Sequence, residues 1–460
     1  MRALSDGARF GAAAMVRLSG RKVWSHKASN TTTGVMSSRG RSLWSHVPRG
    51  PEDAILGVTL AYQRDPNKNK INLGVGAYRG EDGKPFVLES VRTAERKLLE
   101  EDHPMEYLPV AGDKEFVQHA LRLAYGDSVA KEIAPRVASI QTLSGTGACR
   151  MAGALFVAFP PHSSRPEDDL KPSQPATVSQ TKPLVYLPTP SWANHAAIFT
   201  HAGCAVRSYR YYNSSTRGLD EAGMIADLDA APPGAVVLLH ACAHNPTGVD
   251  PSDTTWHAMS DVMMKRGLVP LFDMAYQGFT SGDAEKDAAA LRMFVAKGHR
   301  VVLAQSFSKN FGLYGHRVGA LSVMTDSNAE ADAVQSQLKI LARPMYSNPP
   351  IHGVRVVNEI LREAPLETKW REEMRAMAER IIGVRKALRE GLESRGSAWN
   401  WSHVTNQRGM FCYSGLSPEQ VDSLAKDHSV YLTRNGRISM AGVTRANVDY
   451  LADAIHAVTS

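Results

Sequence analysis

From Val137 onward, the sequence repeats one pattern: a short apolar run, a loop and a longer amphipathic stretch. Strand-like runs are predicted at 137–143, 183–187, 235–240, 269–272, 301–305 and 318–324. Helical stretches such as 255–266 and 285–297 lie between them. Near-continuous apolar strands that alternate with helices are buried on both faces. We therefore predict an α/β fold whose main sheet is mostly parallel and is covered by helices on both sides.

The length of the chain predicts two domains. With 460 residues, of which 43% are hydrophobic, it exceeds the size at which one core keeps growing. We expect residues 86–376 to form the large domain, and 53–85 with 377–460 to form a smaller α+β domain. A long amphipathic helix is predicted at 365–395, with Trp370 and Met374 on its apolar face. This helix is expected to connect the two domains.

Two short strands are predicted in the last part of the chain, at 430–433 and 437–440, on either side of the Asn435-Gly436 turn. A Pro- and Ser-rich stretch at 160–183 has no apolar period, so we expect a long mobile surface loop there.

The first 41 residues differ from the rest in charge. They hold eight basic residues and one acid, which accounts for the whole formal net charge of +7. Because the remainder is neutral, we expect no nucleic-acid partner. A leader rich in Arg, Ser and Ala is typical of transit peptides, so we expect residues 1–42 to direct import into the mitochondrial matrix. A disordered basic tail on a cytoplasmic protein is the alternative.

The sequence shows neither a membrane span nor a cysteine motif. No apolar run approaches the ~18–20 residues that span a membrane, so no membrane association is expected. The four cysteines, Cys149, Cys204, Cys242 and Cys412, show no paired or metal-ligating spacing. We therefore expect buried thiols in a reducing compartment and no metal.

The segment 306–319, which reads SFSKNFGLYGHRVG, places one lysine and one arginine in a small-residue loop after a predicted buried strand. A lysine held among apolar and hydroxyl neighbours is destabilised as a cation, so Lys309 is a candidate Schiff-base nucleophile and proton carrier. Arg317 suits a phosphate, because its planar guanidinium donates two parallel hydrogen bonds to an anion. Together they point to pyridoxal phosphate. Ordinary surface exposure of both side chains is the alternative.

A second candidate phosphate contact follows the first predicted strand. Ser144-Gly145-Thr146 precedes a helix predicted at 149–159, so that backbone N–H groups and two hydroxyls would face an anion. By itself this glycine pattern is more often a tight turn. Combined with Ser306, Ser308 and Arg317, it predicts a phosphate-binding cup at the carboxyl ends of the strands, where ligands collect in open α/β sheets.

These motifs resemble those of the fold-type I, class I aminotransferases. The lysine segment is accompanied by His244-Asn245-Pro246-Thr247-Gly248 and by Asp273-Met274-Ala275-Tyr276 at distances similar to the family's. The similarity extends from about Leu43 to the C-terminus. It implies a homodimer with shared active sites and an N-terminal dimer arm at 43–52.

The resemblance also implies roles around the cofactor. Lys309 would be the tether and general acid/base, and Asp273 would keep the pyridine nitrogen protonated. Asn245 and Tyr276 would stabilise the phenolic oxygen as an anion. Trp192 would stack on the ring. His195 would orient Asp273. The alternative for Asp273 by itself is a helix cap or a structural ion pair.

The substrate contacts follow from the same resemblance. Arg437 would clamp the α-carboxylate beside the Gly76 N–H group, and Arg343 would bind the distal carboxylate. Arg343 and Tyr107 would come from the neighbouring subunit. Pro344 is expected to end the helix that carries Arg343. The implied reaction is a ping-pong amino transfer that converts L-aspartate and 2-oxoglutarate to oxaloacetate and L-glutamate.

Three other readings stay open. The first is an aminotransferase of broader specificity that also accepts aromatic amino acids. The second keeps the fold and cofactor but catalyses a different reaction, as a carbon-sulfur lyase or a cyclopropane-forming synthase does. The third is a non-catalytic scaffold, which the intact set of lysine, aspartate and arginines disfavours.

Overall fold

The computed structural model describes residues 42–50, 54–161 and 182–460. The chain forms two units, one ending at Pro51 and one comprising Glu52–Ser460. In the first, the Ser45 and Val47 N–H groups close a short turn on the carbonyls of Ser42 and Trp44. The expected transit peptide at 1–42 and the expected loop at 160–183 lie, apart from their end residues, outside the described residues.

Helices and strands alternate through most of the second unit. The helices are α1 Ala54–Arg64, α2 Glu89–Glu100, α3 Lys114–Tyr125, α4 Asp127–Ile133, α5 Ser144–Ala158, α6 Asn194–Ala202, α7 Glu221–Ala230, α8 Asp253–Arg266, α9 Ala284–Asp287, α10 Ala289–Ala296, α11 Asn328–Tyr346, α12 His352–Arg362, α13 Ala364–Ser394, α14 Ser402–Asn406, α15 Pro418–His428 and α16 Val448–Thr459. The strands are β1 Ile71–Asn72, β2 Val137–Leu143, β3 Leu184–Thr189, β4 Ala205–Arg210, β5 Tyr212–Asn213, β6 Gly218–Leu219, β7 Val236–His240, β8 Val269–Met274, β9 Val302–Ser306, β10 Val318–Met324, β11 Phe411–Tyr413, β12 Val430–Tyr431 and β13 Arg437–Ser439.

Seven strands form the main sheet, in the order β2-β10-β9-β8-β7-β3-β4. Strand β10 runs antiparallel to both of its neighbours, and the other pairs, from β9 to β4, are parallel. The predicted α/β class with a mainly parallel sheet is therefore confirmed. The carboxyl ends of β7, β8 and β9 meet at one edge, and the functional residues predicted from the sequence follow these ends.

Both faces of the sheet are covered. Alternate residues of β7 show this directly, because Val236 and Leu238 pack with residues of α5, α6 and α11, whereas Val237 and Leu239 pack with residues of α7, α8 and α10. Successive side chains of a strand point to opposite faces, so a strand buried on both sides reads as a continuous apolar run.

A third core surrounds the long helix α13 and includes α12, α15 and α16 with the short sheets β1-β12 and β11-β13. Trp370 of α13 is fully buried, stacks on Phe311 with ring centroids 4.4 Å apart, and donates its Nε1 hydrogen to the Asn310 carbonyl at 2.8 Å. The helix therefore braces the loop that carries Lys309. The division into 86–376 and 53–85 with 377–460 stays a prediction.

Two element predictions differ from the structure. The strands around Asn435-Gly436 do not pair as a hairpin, since β12 pairs with β1 and β13 pairs with β11. The helix predicted at 285–297 is broken at Ala288 into α9 and α10. The buried Asp287 carboxylate explains this break, because it accepts the N–H groups of the 278–281 turn instead of pointing to solvent.

Two helix boundaries also differ. The helix predicted at 149–159 begins five residues earlier, at Ser144, because Ser144 takes a φ of 60° that turns the chain directly out of β2. Helix α11 continues through Pro344 to Tyr346, so the expectation that Pro344 ends it was wrong. The helix ends instead at Ser347, whose φ is 63° and whose N–H donates to the Arg343 carbonyl.

All four cysteines lie in the described part of the chain, and all are free and buried. None of the helices that the structure describes is both long enough and apolar enough to cross a membrane.

Adjacent isoleucines on α13 test how much this helix contributes to stability. Ile381 is 1% exposed and Ile382 is 51% exposed. We expect Ile381→Ala to lower the free energy of unfolding by about 2–5 kcal/mol because it leaves a cavity. The matched variant Ile382→Ala should change it by less than about 0.5 kcal/mol. Urea denaturation measures both, and equal losses would contradict the packing described.

Candidate active site

Three neighbouring strands deliver polar residues to one edge of the sheet. In the register of the sheet, His240 of β7 lies beside Asp273 of β8. Strand β9 ends at Ser306, three residues before Lys309. The first three residues of β7 and of β9 are apolar and buried, so the polar groups of these strands lie toward their carboxyl ends.

The carboxylate of Asp273 is buried and held by one histidine. His195 Nε2 donates to Asp273 Oδ2 at 3.0 Å, and the other ring nitrogen, Nδ1, lies 2.8 Å from Ser191 Oγ. Burial acts to raise the pKa of Asp273. The hydrogen bond from His195 and the nearby Lys309 outweigh burial and lower that pKa. Asp273 is therefore a buried carboxylate anion at the end of an apolar strand, and it can bind a cationic nitrogen.

Trp192 lies two residues before α6 and meets His195 edge to face, with ring centroids 5.1 Å apart and planes at 88°. Its indole thus adjoins the group that holds Asp273. The structure brings Trp192, His195 and Asp273 together, as the resemblance implied.

Lys309 is the reactive amine of the site. The pKa of Lys309 is lowered to about 8, mainly by burial. The Asp273 carboxylate opposes this lowering, and the guanidinium groups of Arg317 and Arg437 contribute to it. Its Nζ lies 5.2 Å from the ring centroid of Tyr276. A lysine with this pKa is largely neutral at slightly alkaline pH, which a nucleophile or a general base requires.

A chain of polar contacts joins Tyr276 to Arg437. Asn245 Nδ2 donates to the Tyr276 hydroxyl at 3.3 Å, and Arg437 Nη1 donates to Asn245 Oδ1 at 3.5 Å. Burial raises the pKa of Tyr276, while the positive charge of Arg437 opposes that rise. These three residues come from separate parts of the chain and converge on one side of the lysine.

The Arg437 guanidinium is buried but only partly satisfied. Nη2 donates to the Gly74 carbonyl at 2.7 Å, and the group lies 4.3 Å over the Phe411 ring. Its Nε is buried without a hydrogen-bond partner. A side chain at Gly76 would approach Phe411 to 3.0 Å, so glycine keeps the backbone close to this ring. The arrangement leaves Arg437 able to donate hydrogen bonds to a carboxylate.

Three serine hydroxyls form what we call the hydroxyl cup: Ser144, Ser306 and Ser308. Ser144 Oγ lies 3.0 Å from Ser306 Oγ and 2.8 Å from Ser308 Oγ. The cup sits at the N-terminus of α5, where unpaired N–H groups favour an anion. A Cβ on Gly145 would lie 3.1 Å from Ser306 Cβ and 4.0 Å from Asp273 Oδ1, so glycine keeps this space open. Thr146 follows in the same first turn.

The backbone of Arg317 adjoins the hydroxyl cup, because its carbonyl accepts a hydrogen bond from the Ser144 N–H at 3.1 Å. Its φ is 56°, and its exposed side chain donates from Nη1 to the Tyr314 carbonyl at 2.9 Å. Partial burial lowers the pKa of Arg317.

Two of the predicted residues are not brought to this site within one chain. Arg343 is exposed and donates to Ser347 Oγ at 3.0 Å and to Asn348 Oδ1 at 3.3 Å. Tyr107 is 83% exposed. Their placement on the surface agrees with a role in a second copy's site, which stays a prediction.

Some residues of the site carry no assigned role from the sequence: Ser191, His240, Gly74 and Phe411. His240 could have been found, because it is a polar residue at the end of an apolar strand, as Asp273 is. Burial lowers the pKa of His240 to about 3, so the imidazole is neutral. Gly74 and Phe411 have no such signal, because their contacts with Arg437 depend on how distant segments pack.

Comparison with known proteins gives a consistent result. The model of the aminotransferase class I and II family matches residues 68–455. A mitochondrial aspartate aminotransferase of Dictyostelium discoideum is 50% identical over 422 residues, which are 92% of this chain and 94% of that protein. The aromatic-amino-acid aminotransferase of Burkholderia pseudomallei, solved covalently bound to pyridoxal phosphate, superposes with a TM-score of 0.84 at 42% identity, over 91% of this chain and 100% of that one. Aspartate aminotransferase from Saccharomyces cerevisiae cytoplasm gives 0.85 at 38% identity, over 91% and 99%.

Two substitutions of opposite sign test the electrostatics at Lys309. Asp273→Asn removes the charge that stabilises the ammonium, so it should lower the pKa of Lys309 below the value of about 8. Arg437→Gln removes a repelling cation and should raise it. The readout is the pH dependence of Lys309 labelling by an amine-reactive reagent in cofactor-free enzyme, with exposed Lys265 as internal reference. Identical titrations in both variants and the wild type would contradict this assignment.

Proposed function

Because the chain belongs to the aminotransferase class I and II family, we propose that it is a pyridoxal-phosphate-dependent aspartate aminotransferase. It transfers the amino group of L-aspartate to 2-oxoglutarate by a ping-pong mechanism and releases oxaloacetate and L-glutamate. The observation that carries this proposal is one buried amine, Lys309, which lies near the ring of Tyr276 and whose pKa burial lowers to about 8 against the opposing charge of Asp273. The relative named aspartate aminotransferase, mitochondrial, supports it at 50% identity.

The residues present fit the cofactor. Its phosphate would be held by the hydroxyl cup with Gly145, Thr146, Arg317 and Tyr107 of a second copy. The Ser144 hydroxyl at a helix N-terminus, with two further hydroxyls within 3.0 Å of it, makes up a site for a dianion. Asp273 would bind the pyridine nitrogen. When bound, the cofactor acts as an electron sink for the carbanion formed at the substrate Cα.

The remaining cofactor contacts concern the ring. Asn245 and Tyr276 would donate to the phenolic oxygen, and their mutual hydrogen bond at 3.3 Å holds both on the same side. Trp192 would stack on one face of the ring. His195 does not touch the substrate; it positions Asp273 and keeps that carboxylate ionised.

Lys309 has two tasks. Its Nζ would hold the cofactor until substrate binds. The free amine would then accept the proton from the substrate Cα and deliver it to the cofactor. A positioned base of this kind contributes about 10² to 10⁴-fold to the rate.

Two arginines bind the substrate carboxylates. Arg437 binds the α-carboxylate beside the Gly76 N–H group. Its buried Nε has no hydrogen-bond partner and can donate to this carboxylate. Arg343 accepts the distal carboxylate, and we infer that it does so in the active site of a second copy. Arg343 and Tyr107 are exposed in one chain, and so are the apolar side chains of Leu99 and Met105, which suits a homodimer interface.

Mitochondrial import of the chain is part of the same proposal. The basic, acid-poor leader at 1–42 and the relative named mitochondrial support it. A cytoplasmic location is the alternative, since a structural neighbour comes from the yeast cytoplasm.

The choice of substrate distinguishes an aspartate aminotransferase from an aminotransferase that also accepts aromatic amino acids. The second is favoured by a structural neighbour named for aromatic amino acids. Losing the buried charge pair between Arg343 and the distal carboxylate costs about 2–5 kcal/mol, so Arg343→Gln should lower kcat/KM for aspartate by about 30- to 4000-fold. Rates with phenylalanine should change little. The control Lys339→Gln removes an exposed charge from the same helix and should leave both rates unchanged.

The assay is a steady-state panel of aspartate, glutamate, tyrosine and phenylalanine. If the wild-type enzyme uses phenylalanine as well as aspartate, the broader aminotransferase is the correct function. If it transfers no amino group at all, the proposal fails.

Sharing of sites between subunits can be tested by complementation. Lys309→Ala should nearly abolish turnover, and Arg343→Gln should strongly reduce turnover of aspartate. A hybrid dimer of the two variants contains one site with Lys309 from one chain and Arg343 from the other. Co-expression should therefore restore about a quarter of wild-type activity, because about half of the dimers are hybrids and half of their sites are intact. Activity no higher than the mean of the two variants would show that each chain supplies its own Arg343.

A further inference from the structure

One buried cysteine lies against the residues proposed to serve the cofactor ring. Cys149 of α5 is fully buried, one turn after the hydroxyl cup. One ligand atom each from Cys149, His195 and Asp273 lie within 4.8 Å of one another, and in the described residues this is the only such group of three. The proposed transamination uses Asp273 and His195 but leaves the thiol without a task.

We propose that Cys149 Sγ, His195 Nε2 and a carboxylate oxygen of Asp273 form a binding site for a thiophilic divalent cation of the Zn²⁺ class, and that metal and cofactor exclude each other there. The exclusion rests on the proposed function, because it requires the cofactor to use Asp273. The metal site itself rests on the three side chains.

The donor atoms suit such a cation. Thiolate, imidazole and carboxylate are the ligands that zinc takes in proteins, at about 2.3 Å for sulfur and about 2.0–2.2 Å for nitrogen and oxygen. His195 Nε2 and Asp273 Oδ2 are already 3.0 Å apart, which is close to the separation of two ligands on one tetrahedral ion. The sulfur lies at most 4.8 Å from one ligand atom of each of these residues, so it needs to approach by about 1 Å.

The charges also balance. Two anionic ligands, the Cys149 thiolate and the Asp273 carboxylate, neutralise a dication in a buried position where an uncompensated charge is costly. Metal binding releases the thiol proton to solvent, because the thiolate is the form of cysteine that ligates a metal.

The surroundings also suit the form of the imidazole that a metal needs. Without metal, His195 Nε2 donates its hydrogen to Asp273. Coordination through Nε2 shifts the hydrogen to Nδ1, where Ser191 Oγ, 2.8 Å away, can accept it. An outer hydrogen bond of this kind orients a ligating histidine. The ion then takes the same carboxylate that a protonated pyridine nitrogen would take, so one ligand displaces the other by mass action.

The test is a titration of the full chain with Cd²⁺, whose thiolate complexes absorb in the ultraviolet. Cofactor-free enzyme should bind one Cd²⁺ per chain with a sulfur-to-cadmium charge-transfer band. Cys149→Ser and Cys149→Ala should lose the band and weaken binding by more than about 10-fold. Cys204→Ser, which changes a second buried thiol, is the matched control and should keep both. Circular dichroism and the melting temperature establish that each variant is folded.

Added pyridoxal phosphate should raise the apparent Kd for Cd²⁺ in proportion to its concentration, and Zn²⁺ should displace Cd²⁺. A band that survives in folded Cys149→Ala, or the lack of stoichiometric binding to wild-type enzyme, overturns the metal site. Binding that is indifferent to the cofactor overturns the exclusion. The proposed transaminase activity is measured on untreated holoenzyme without metal, so its failure is recognised separately.

Discussion

The remainder of the site depends on one interaction, the hydrogen bond by which His195 keeps the buried carboxylate of Asp273 ionised. Burial alone would protonate a carboxyl at the end of β8, and a neutral acid there could not hold a cationic ring nitrogen. The hydrogen bond of 3.0 Å between His195 Nε2 and Asp273 Oδ2 lowers the pKa of the carboxyl and keeps it ionised. Ser191 in turn contacts the other ring nitrogen and holds the imidazole in place. The same carboxylate moderates the loss of charge at Lys309. One buried anion therefore sets the protonation of both the proposed ring partner and the amine.

The fold places this anion by strand order. Because β7, β8 and β9 are adjacent and parallel, the residues that follow them reach one edge without any long-range adjustment. The short sheet β11-β13, which packs in the third core, adds Arg437, and this residue contacts Asn245 of the loop after β7 at 3.5 Å. Helix α13 holds the lysine loop from behind through Trp370 and Phe311. The chemistry thus combines a rigid sheet edge with groups supplied by a separately packed core.

The sheet and most of the candidate site could be predicted from the sequence because their signals are local. Apolar runs buried on both faces identify β2, β7, β8, β9 and β10, and polar residues directly after them identify Ser144, Asp273 and Lys309. Strand β4 was not predicted, because half of its residues are polar and it lies at the edge of the sheet. The break at Ala288 could not be foreseen either, since it depends on Asp287 turning inward to the 278–281 turn. Pairings of β12 and β13 with distant strands have no local signal at all.

Strand β10 has a consequence beyond its place in the sheet. It is hydrogen-bonded along both edges, to β2 and to β9, and it begins one residue after Arg317. At Gly319 a Cβ would lie 2.5 Å from the Ser144 carbonyl carbon, so the two segments are in near contact. A slip by one position would invert every side chain of the strand. The register of β10 is thus fixed on both of its edges, and the segment from Ser306 to Val318 has to return the chain to that register.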